Sequence, residues 1–180
     1  MSLVSRSLAV GVAGLALVGL SACSGGPGKS GEETSTSTPT SAAQSSGLAN
    51  LDPCTFLTSE ELSAAGVSGP SRPVNDLKSQ PGCDWEGKDV LLTFSKNETE
   101  DFEKYSKNNF ETFDRFDING RQAARAVTAG SGGQGICSAI ISAGGGIVDV
   151  NVAGIMRNSV ADPCGEAEKI ARQIEPRLPE

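Results

Sequence analysis

The tripeptide Asp-Pro-Cys occurs twice in this 180-residue chain, at 52–54 and 162–164, and it constrains the fold more than any other feature. Asp is a good helix N-cap. Pro suits the first helical position because the amide hydrogen that it lacks would have no intrahelical partner there. Each copy therefore predicts the start of a helix whose first turn carries a cysteine, Cys54 or Cys164. Two further cysteines, Cys83 and Cys137, lie between the copies.

The N-terminal residues predict export and lipidation. Arg6 precedes an uncharged apolar run at 8–20, which has the length of a signal-peptide hydrophobic region and is short of the ~20 residues of a spanning helix. The motif Leu-Ser-Ala-Cys at 20–23 resembles the bacterial lipobox. We therefore expect residues 1–22 to be a signal peptide that is removed, and Cys23 to carry lipid that holds the protein on the extracytoplasmic face of the cell membrane. An ordinary signal peptide followed by a coincidental cysteine is the alternative.

Composition divides the remainder into a tether and a domain. Residues 23–50 are rich in Gly, Ser, Thr and Ala and poor in large apolar side chains, which is typical of a disordered tether. Residues 51–180 are long enough for one compact domain with its own core. The whole net charge of −7 lies in that domain. An acidic domain repels nucleic acid and anionic lipid, so we expect no nucleic-acid partner and attachment to the membrane only through the lipid on Cys23.

The cysteines of the domain are expected to form two disulfides, because an even number outside the cytoplasm is typically paired. Three pairings are possible. We favour Cys54–Cys83 with Cys137–Cys164, since each bond would fix the first turn of an Asp-Pro-Cys helix to a strand. The main alternative joins Cys83 to Cys137 and Cys54 to Cys164.

Periodicity and turn residues predict an α+β fold. The first helix contains a capping-box pair, Thr58 and Glu61, and ends near Gly66. A middle helix is predicted at 98–110 and a last helix after the second Asp-Pro-Cys. Short extended segments fill the rest, at 83–85, 90–94, 116–118, 121–127, 136–142 and 147–152. We expect an antiparallel sheet of about five strands, with the N-terminal, middle and C-terminal helices packed against one face.

The sequence contains no arrangement typical of a catalytic or metal site. It has no histidine, no Ser-x-x-Lys and no Cys-x-x-Cys, so a nucleophile with a base and a zinc site are both unsupported. The glycine pattern at 130–135 matches a dinucleotide motif in letters, but strand-like residues follow it where a helix is required. We therefore expect no enzyme activity, no catalytic residue, no metal and no cofactor.

Several of these features together resemble one known family. They are the lipobox, the polar tether, Asp-Pro-Cys followed by Leu-Thr-Ser-Glu-Glu-Leu, the Cys-x-Trp segment at 83–85, a cysteine in a late strand and the closing Asp-Pro-Cys helix. The chain is similar to the domain-of-unknown-function 3558 family of actinobacterial cell-surface lipoproteins over residues 51 to about 177. The resemblance implies actinobacterial origin, a lipid anchor and two disulfides, and it implies no activity or catalytic residue.

Three functions are compatible with such a domain. We favour a binding or sensing module of the cell envelope, whose partner is an unidentified envelope ligand or protein. The alternatives are a surface hydrolase that uses only carboxyl groups and a structural accessory of an envelope complex. An apolar pocket favours small-ligand binding, a flat apolar patch favours a protein partner, and a cleft with two carboxyl groups of raised pKa favours the enzyme.

Overall fold

One antiparallel sheet of seven strands forms the body of the protein in the computed structural model, which describes residues 47–180. The strands are β1 Arg72–Val74, β2 Gly82–Glu86, β3 Val90–Asn97, β4 Phe110–Ile118, β5 Arg121–Thr128, β6 Ile136–Ala143 and β7 Gly146–Gly154. The α+β class is confirmed, whereas the expectation of about five strands is wrong. Strand β1 escaped prediction because it is short and contains Pro73, which lacks a ladder donor and is tolerated at the edge that β1 occupies.

The sheet has the strand order β1-β2-β3-β7-β6-β5-β4. It therefore consists of two meanders, β1 to β3 and β4 to β7, which join where β3 pairs with β7 at the centre. Asn119 and Gly120 connect β4 to β5 with φ values of 54° and 90°, as expected for the tight hairpin predicted at this pair.

Three helices cover one face of the sheet. The predicted N-terminal helix is in fact two short ones, α1 Pro53–Phe56 and α2 Ser59–Ala64. The capping box is present, with the Glu61 amide donating to Thr58 Oγ1 and the Thr58 amide donating to Glu61 Oε2, but it begins α2 instead of reinforcing a single helix. The last of the three is α4 Pro163–Ile174, whose four buried residues follow the helical repeat: Ala167, Ile170, Ala171 and Ile174.

The remaining helix, α3 Phe102–Tyr105, lies on the other face. It is much shorter than the helix predicted at 98–110. The expectation that all helices pack against one face of the sheet is therefore wrong for α3. Alternation along the strands turns Ala124, Ile140 and Ile147 toward this second face, where they need an apolar cover. Phe102 and Tyr105 provide that cover, and both are buried.

Both helix starts that carry a cysteine are bonded to strands. Cys54 of α1 is joined to Cys83 of β2, and Cys164 of α4 to Cys137 of β6, each with 5.0 Å between Cα atoms. This is the pairing favoured from the repeated motif. Trp85 lies on the same face of β2 as Cys83 and is buried in the main core.

The packed domain begins before residue 51. Gly47–Asn50 forms a turn of 3-10 helix, and Leu48 is fully buried. Lys96 Nζ donates to the carbonyl oxygen of Leu48 at 2.7 Å, which fixes this segment to the end of β3. The predicted signal peptide, Cys23 and the tether up to residue 46 lie outside the described residues. Within 47–180, no helix is long and apolar enough to cross a membrane.

Candidate ligand-binding cavity

A cavity of about 440 Å³ opens on the helical face of the sheet, between α2 and α4. Its floor is formed where β3 begins and β7 ends, and these two strands pair there through Val90 and Gly154. Cavities of roughly 300–1,000 Å³ are typical of small-molecule sites, so its size is sufficient for a ligand.

The walls of this cavity are mostly aliphatic. Leu92 of β3, Val152 of β7 and Ile170 of α4 form its deepest part, with 1%, 2% and 3% of their surface exposed. Ala65 and Val160 contribute further apolar surface nearer the opening. None of the described residues that line the cavity is aromatic, so this lining offers a ligand aliphatic contact and no ring on which to stack.

Local structure fixes the α4 wall. The Asp162 carboxylate accepts a hydrogen bond from the Gly165 amide at 2.8 Å, which caps the helix. The Cys137–Cys164 bond holds the same turn against β6. One turn further on, Glu166, Lys169 and Ile170 reach the cavity. The second Asp-Pro-Cys motif therefore positions one side of the site.

A close backbone approach fixes the α2 wall. Gly66 follows α2 with φ +76°, and its carbonyl oxygen lies against Gly87 in the turn between β2 and β3. A Cβ at position 87 would lie 2.1 Å from that oxygen, so only glycine fits there. This contact lets Ala64 and Ala65 lie beside the first residues of β3.

The loop at 155–162 forms the outer rim. The Ile155 amide donates to the carbonyl oxygen of Asp89 at 3.0 Å, and the Ser159 hydroxyl donates to the same oxygen. Ile155 and Met156, in this loop, are 48% and 69% exposed. Large apolar side chains so exposed beside a cavity are typical of a binding surface.

The rim carries an excess of negative charge. Asp89, Asp162 and Glu166 line the cavity with a single cation, Lys169. Lys169 Nζ lies 3.1 Å from Glu166 Oε2, so these two charges offset each other. Asp162 is engaged as the helix cap, and Asp89 is exposed, with no side-chain partner among residues 47–180.

The most perturbed carboxyl group lies elsewhere, on the second face of the sheet. Burial raises the pKa of Asp149 to about 6, although hydrogen bonding by Ser138 and Gln80 opposes the shift. The side chain keeps some solvent contact, but its Oδ1 is buried without a hydrogen-bond partner. Gln80 Nε2 donates to Oδ2 at 3.3 Å. No second carboxyl group of the described residues belongs to this network, so it does not form the carboxyl pair that glycoside chemistry uses.

Of the cysteines singled out from the sequence, Cys137 and Cys164 support a wall of the cavity, Cys54 and Cys83 hold α1 away from it, and Cys23 lies outside the described residues. The residues that line the cavity were not predicted as a site. Their signals were weak: small residues at the end of one predicted helix, such as Ala65, and before another, such as Ala161. Within 47–180 no group of three or more Cys, Asp and Glu side chains is placed to hold a metal ion.

These features define a class: a disulfide-linked α+β domain with an aliphatic cavity between its helices and its sheet. The chain belongs to the family described as "Protein of unknown function (DUF3558)", whose model matches residues 18–177. That match includes both Asp-Pro-Cys motifs and Cys23. No curated protein and no solved structure matches the chain.

Proposed function

We propose that this protein is a lipid-anchored, extracytoplasmic binding module of the cell envelope, and that it holds an apolar small molecule in the cavity between α2 and α4. The observation that carries the proposal is the cavity itself, with its volume of about 440 Å³ and its aliphatic walls. The anchor follows from the signal sequence and lipobox ending at Cys23, and the actinobacterial source from the family resemblance.

Burial of apolar surface supplies the binding free energy. Each methylene removed from water contributes about 0.8 kcal/mol, so a short alkyl chain in this cavity gains several kcal/mol before the cost of ordering it. The disulfide and the helix cap at α4 hold one wall in place, which lowers the cost of organising the site when the ligand binds.

The cavity lies at the opposite end of the domain from the tether. Gly47 enters beside the β6–β7 turn, where its amide donates to the carbonyl oxygen of Gly144 at 2.8 Å. That turn adjoins Asn97, the last residue of β3, whereas the cavity adjoins Val90, the first. Seven residue steps along an extended strand span ~23 Å. The cavity opening therefore lies far from Gly47, where the described residues begin.

The test is displacement of a neutral fluorescent probe, N-phenyl-1-naphthylamine, by 1-decanol. It uses residues 24–180, which lack the apolar run at 8–20 and the lipidated cysteine, purified without detergent. Ala65→Phe places a ring in the cavity at a position with ordinary helical φ and ψ, and we expect at least about tenfold weaker decanol binding.

The matched control is Ala49→Phe, an exposed alanine at the other end of the domain. It should leave decanol binding unchanged. Thermal melting establishes that both variants are folded. Failure of decanol to bind, or equal binding by a folded Ala65→Phe protein, would overturn the proposal.

A further inference from the structure

We infer that the ligand of this cavity is an aliphatic amphiphile with a cationic head group, such as an alkylamine or an alkylammonium. The inference rests on the proposed function and adds the chemical class of the ligand. It combines two independent properties of the site: the hydrocarbon walls of the cavity and the charge at its opening.

The walls select the body of the ligand. Sugars and nucleobases are usually held by aromatic stacking and by several polar groups, and this cavity has no aromatic side chain in its lining. Leu92, Val152 and Ile170 instead present branched alkyl groups at its deepest point. A flexible alkyl chain fits such a lining because it needs no directional contact.

The rim selects the head group. Three acidic residues, Asp89, Asp162 and Glu166, and one basic residue, Lys169, belong to the described lining, whose formal charge is therefore −2. The paired charges of Glu166 and Lys169 are 3.1 Å apart and leave little attraction for an anion. Asp89, whose carboxylate has no hydrogen-bond or ion-pair partner among the described residues, is the acidic group of the lining most available to a cation.

The net charge of the whole domain also favours a cationic head group over an anionic one. Its net charge of −7 raises the local concentration of cations and repels carboxylates, sulfates and phosphates. A fatty acid or phospholipid head at the opening would therefore meet repulsion from the rim and from the domain. An alkylammonium meets attraction from both.

The experiment compares three ligands of equal chain length as competitors of the neutral probe: decyltrimethylammonium, 1-decanol and decyl sulfate, all below their micelle concentrations. We expect the cation to bind most tightly and the sulfate most weakly, with at least about tenfold between them at low salt. The ratio of the affinity for the cation to the affinity for the sulfate should fall as ionic strength rises, because exposed charges are screened.

Two variants test whether the acidic residues of the rim cause the preference for the cationic ligand. Asp89→Asn should weaken decyltrimethylammonium about three- to tenfold, as expected for loss of one nearby exposed charge, and leave decanol unchanged. Asp114→Asn is the matched control, since it removes an exposed carboxylate from β4, which does not line the cavity. It should change neither affinity.

The two proposals fail in distinguishable ways. Binding of decanol that Ala65→Phe weakens, together with equal or stronger binding of decyl sulfate than of the cation, would overturn the head-group inference alone. So would a cation affinity that Asp89→Asn leaves unchanged. Binding of none of the three ligands would overturn the cavity as a ligand site.

Discussion

At the scale of single residues, Asp149 is the carboxyl group whose pKa its surroundings raise most. It lies on β7 between Val148 and Val150, which face the main core, and it points to the second face of the sheet. Tyr105 Oη donates to Gln80 Oε1 at 3.3 Å, and Gln80 in turn donates to Asp149. Burial raises the pKa of Tyr105 as well, and the nearby Asp149 charge adds to that shift. The network therefore connects α3 to the sheet through an acid that is costly to ionise.

Ionisation of Asp149 should lower the stability of the domain. Its pKa is about 6 when folded, against 3.8 for an exposed Asp, so the folded state holds the proton more tightly than the unfolded state does. The resulting stabilisation is fully present below about pH 4, is lost as the pH rises to about 6, and amounts to roughly 2–3 kcal/mol. Asp149→Asn, which cannot ionise, should be more stable than the wild type by roughly 1–3 kcal/mol at pH 7.5 and equal to it at pH 4. Urea unfolding at both pH values measures this.

Other carboxylates also make the free energy of unfolding depend on pH. They do not affect the difference in that free energy between Asp149→Asn and the wild type. Hydrogen bonding lowers the pKa of Glu103, through Arg115, and of Glu175, through Asn119 and Arg121, so both lose stabilising interactions in acid. These effects are common to both proteins and cancel in the comparison. Asp114→Asn serves as the exposed control. A stability gain for Asp149→Asn that is the same at pH 4 and pH 7.5 would contradict the raised pKa.

At the scale of elements, the two helix starts at the Asp-Pro-Cys motifs were predictable, whereas the end of α1 and both limits of α3 were not. Asp52 and Asp162 cap their helices as the sequence indicates, because a cap depends on residues a few positions apart. The end of α1 at Leu57 was missed, since the same apolar spacing fits one helix or two. The limits of α3 were missed because Phe102 and Tyr105 fit a helical repeat that does not mark where the helix ends. Phe110 instead begins a strand and pairs with Thr128, 18 positions further along the chain.

The disulfide at α4 gives the second prediction. Cys137→Ala with Cys164→Ala should cost ~3–4 kcal/mol, the loop entropy of a bond between residues 27 apart, and lower the melting temperature by on the order of 10 °C. Amide exchange should rise most in the first turn of α4. Because that turn carries a wall of the cavity, decanol affinity should fall as well.

The companion variant Cys54→Ala with Cys83→Ala provides the comparison. It opens a loop of similar size, with the cysteines 29 positions apart, but it releases α1, which does not line the cavity. Its stability should fall by a similar amount, with decanol affinity retained below the melting temperature. Unchanged exchange in α4 after loss of Cys137–Cys164 would show that the bond does not fix that turn. Non-reducing peptide mapping that linked Cys54 to Cys164 would contradict the pairing itself.

At the scale of the whole molecule, the class of fold could be predicted and the cavity could not. Its walls come from Ala65, Val90, Val152 and Ile170, which meet because β3 pairs with β7 and because α2 and α4 share one face of the sheet. Each of these facts depends on the strand order, which no local pattern in the sequence specifies. The charge of the rim also depends on the strand order, since Asp89 and Glu166 are 77 positions apart in the chain and only the fold brings them together.

The last prediction concerns attachment to the membrane. Cys23→Ser should abolish incorporation of labelled fatty acid, because a serine hydroxyl is a poor substitute for the thiolate that accepts the lipid. A chain that lacks both the lipidated cysteine and residues 1–22 should leave the membrane fraction, since the acidic domain by itself is repelled by anionic lipid. Its fold and decanol binding should be retained, because the core and the cavity lie within 47–180. Cys54→Ser is the control: it should keep the label and lose stability through the bond to Cys83. Label that persists on the Cys23→Ser protein would show that the anchor lies elsewhere.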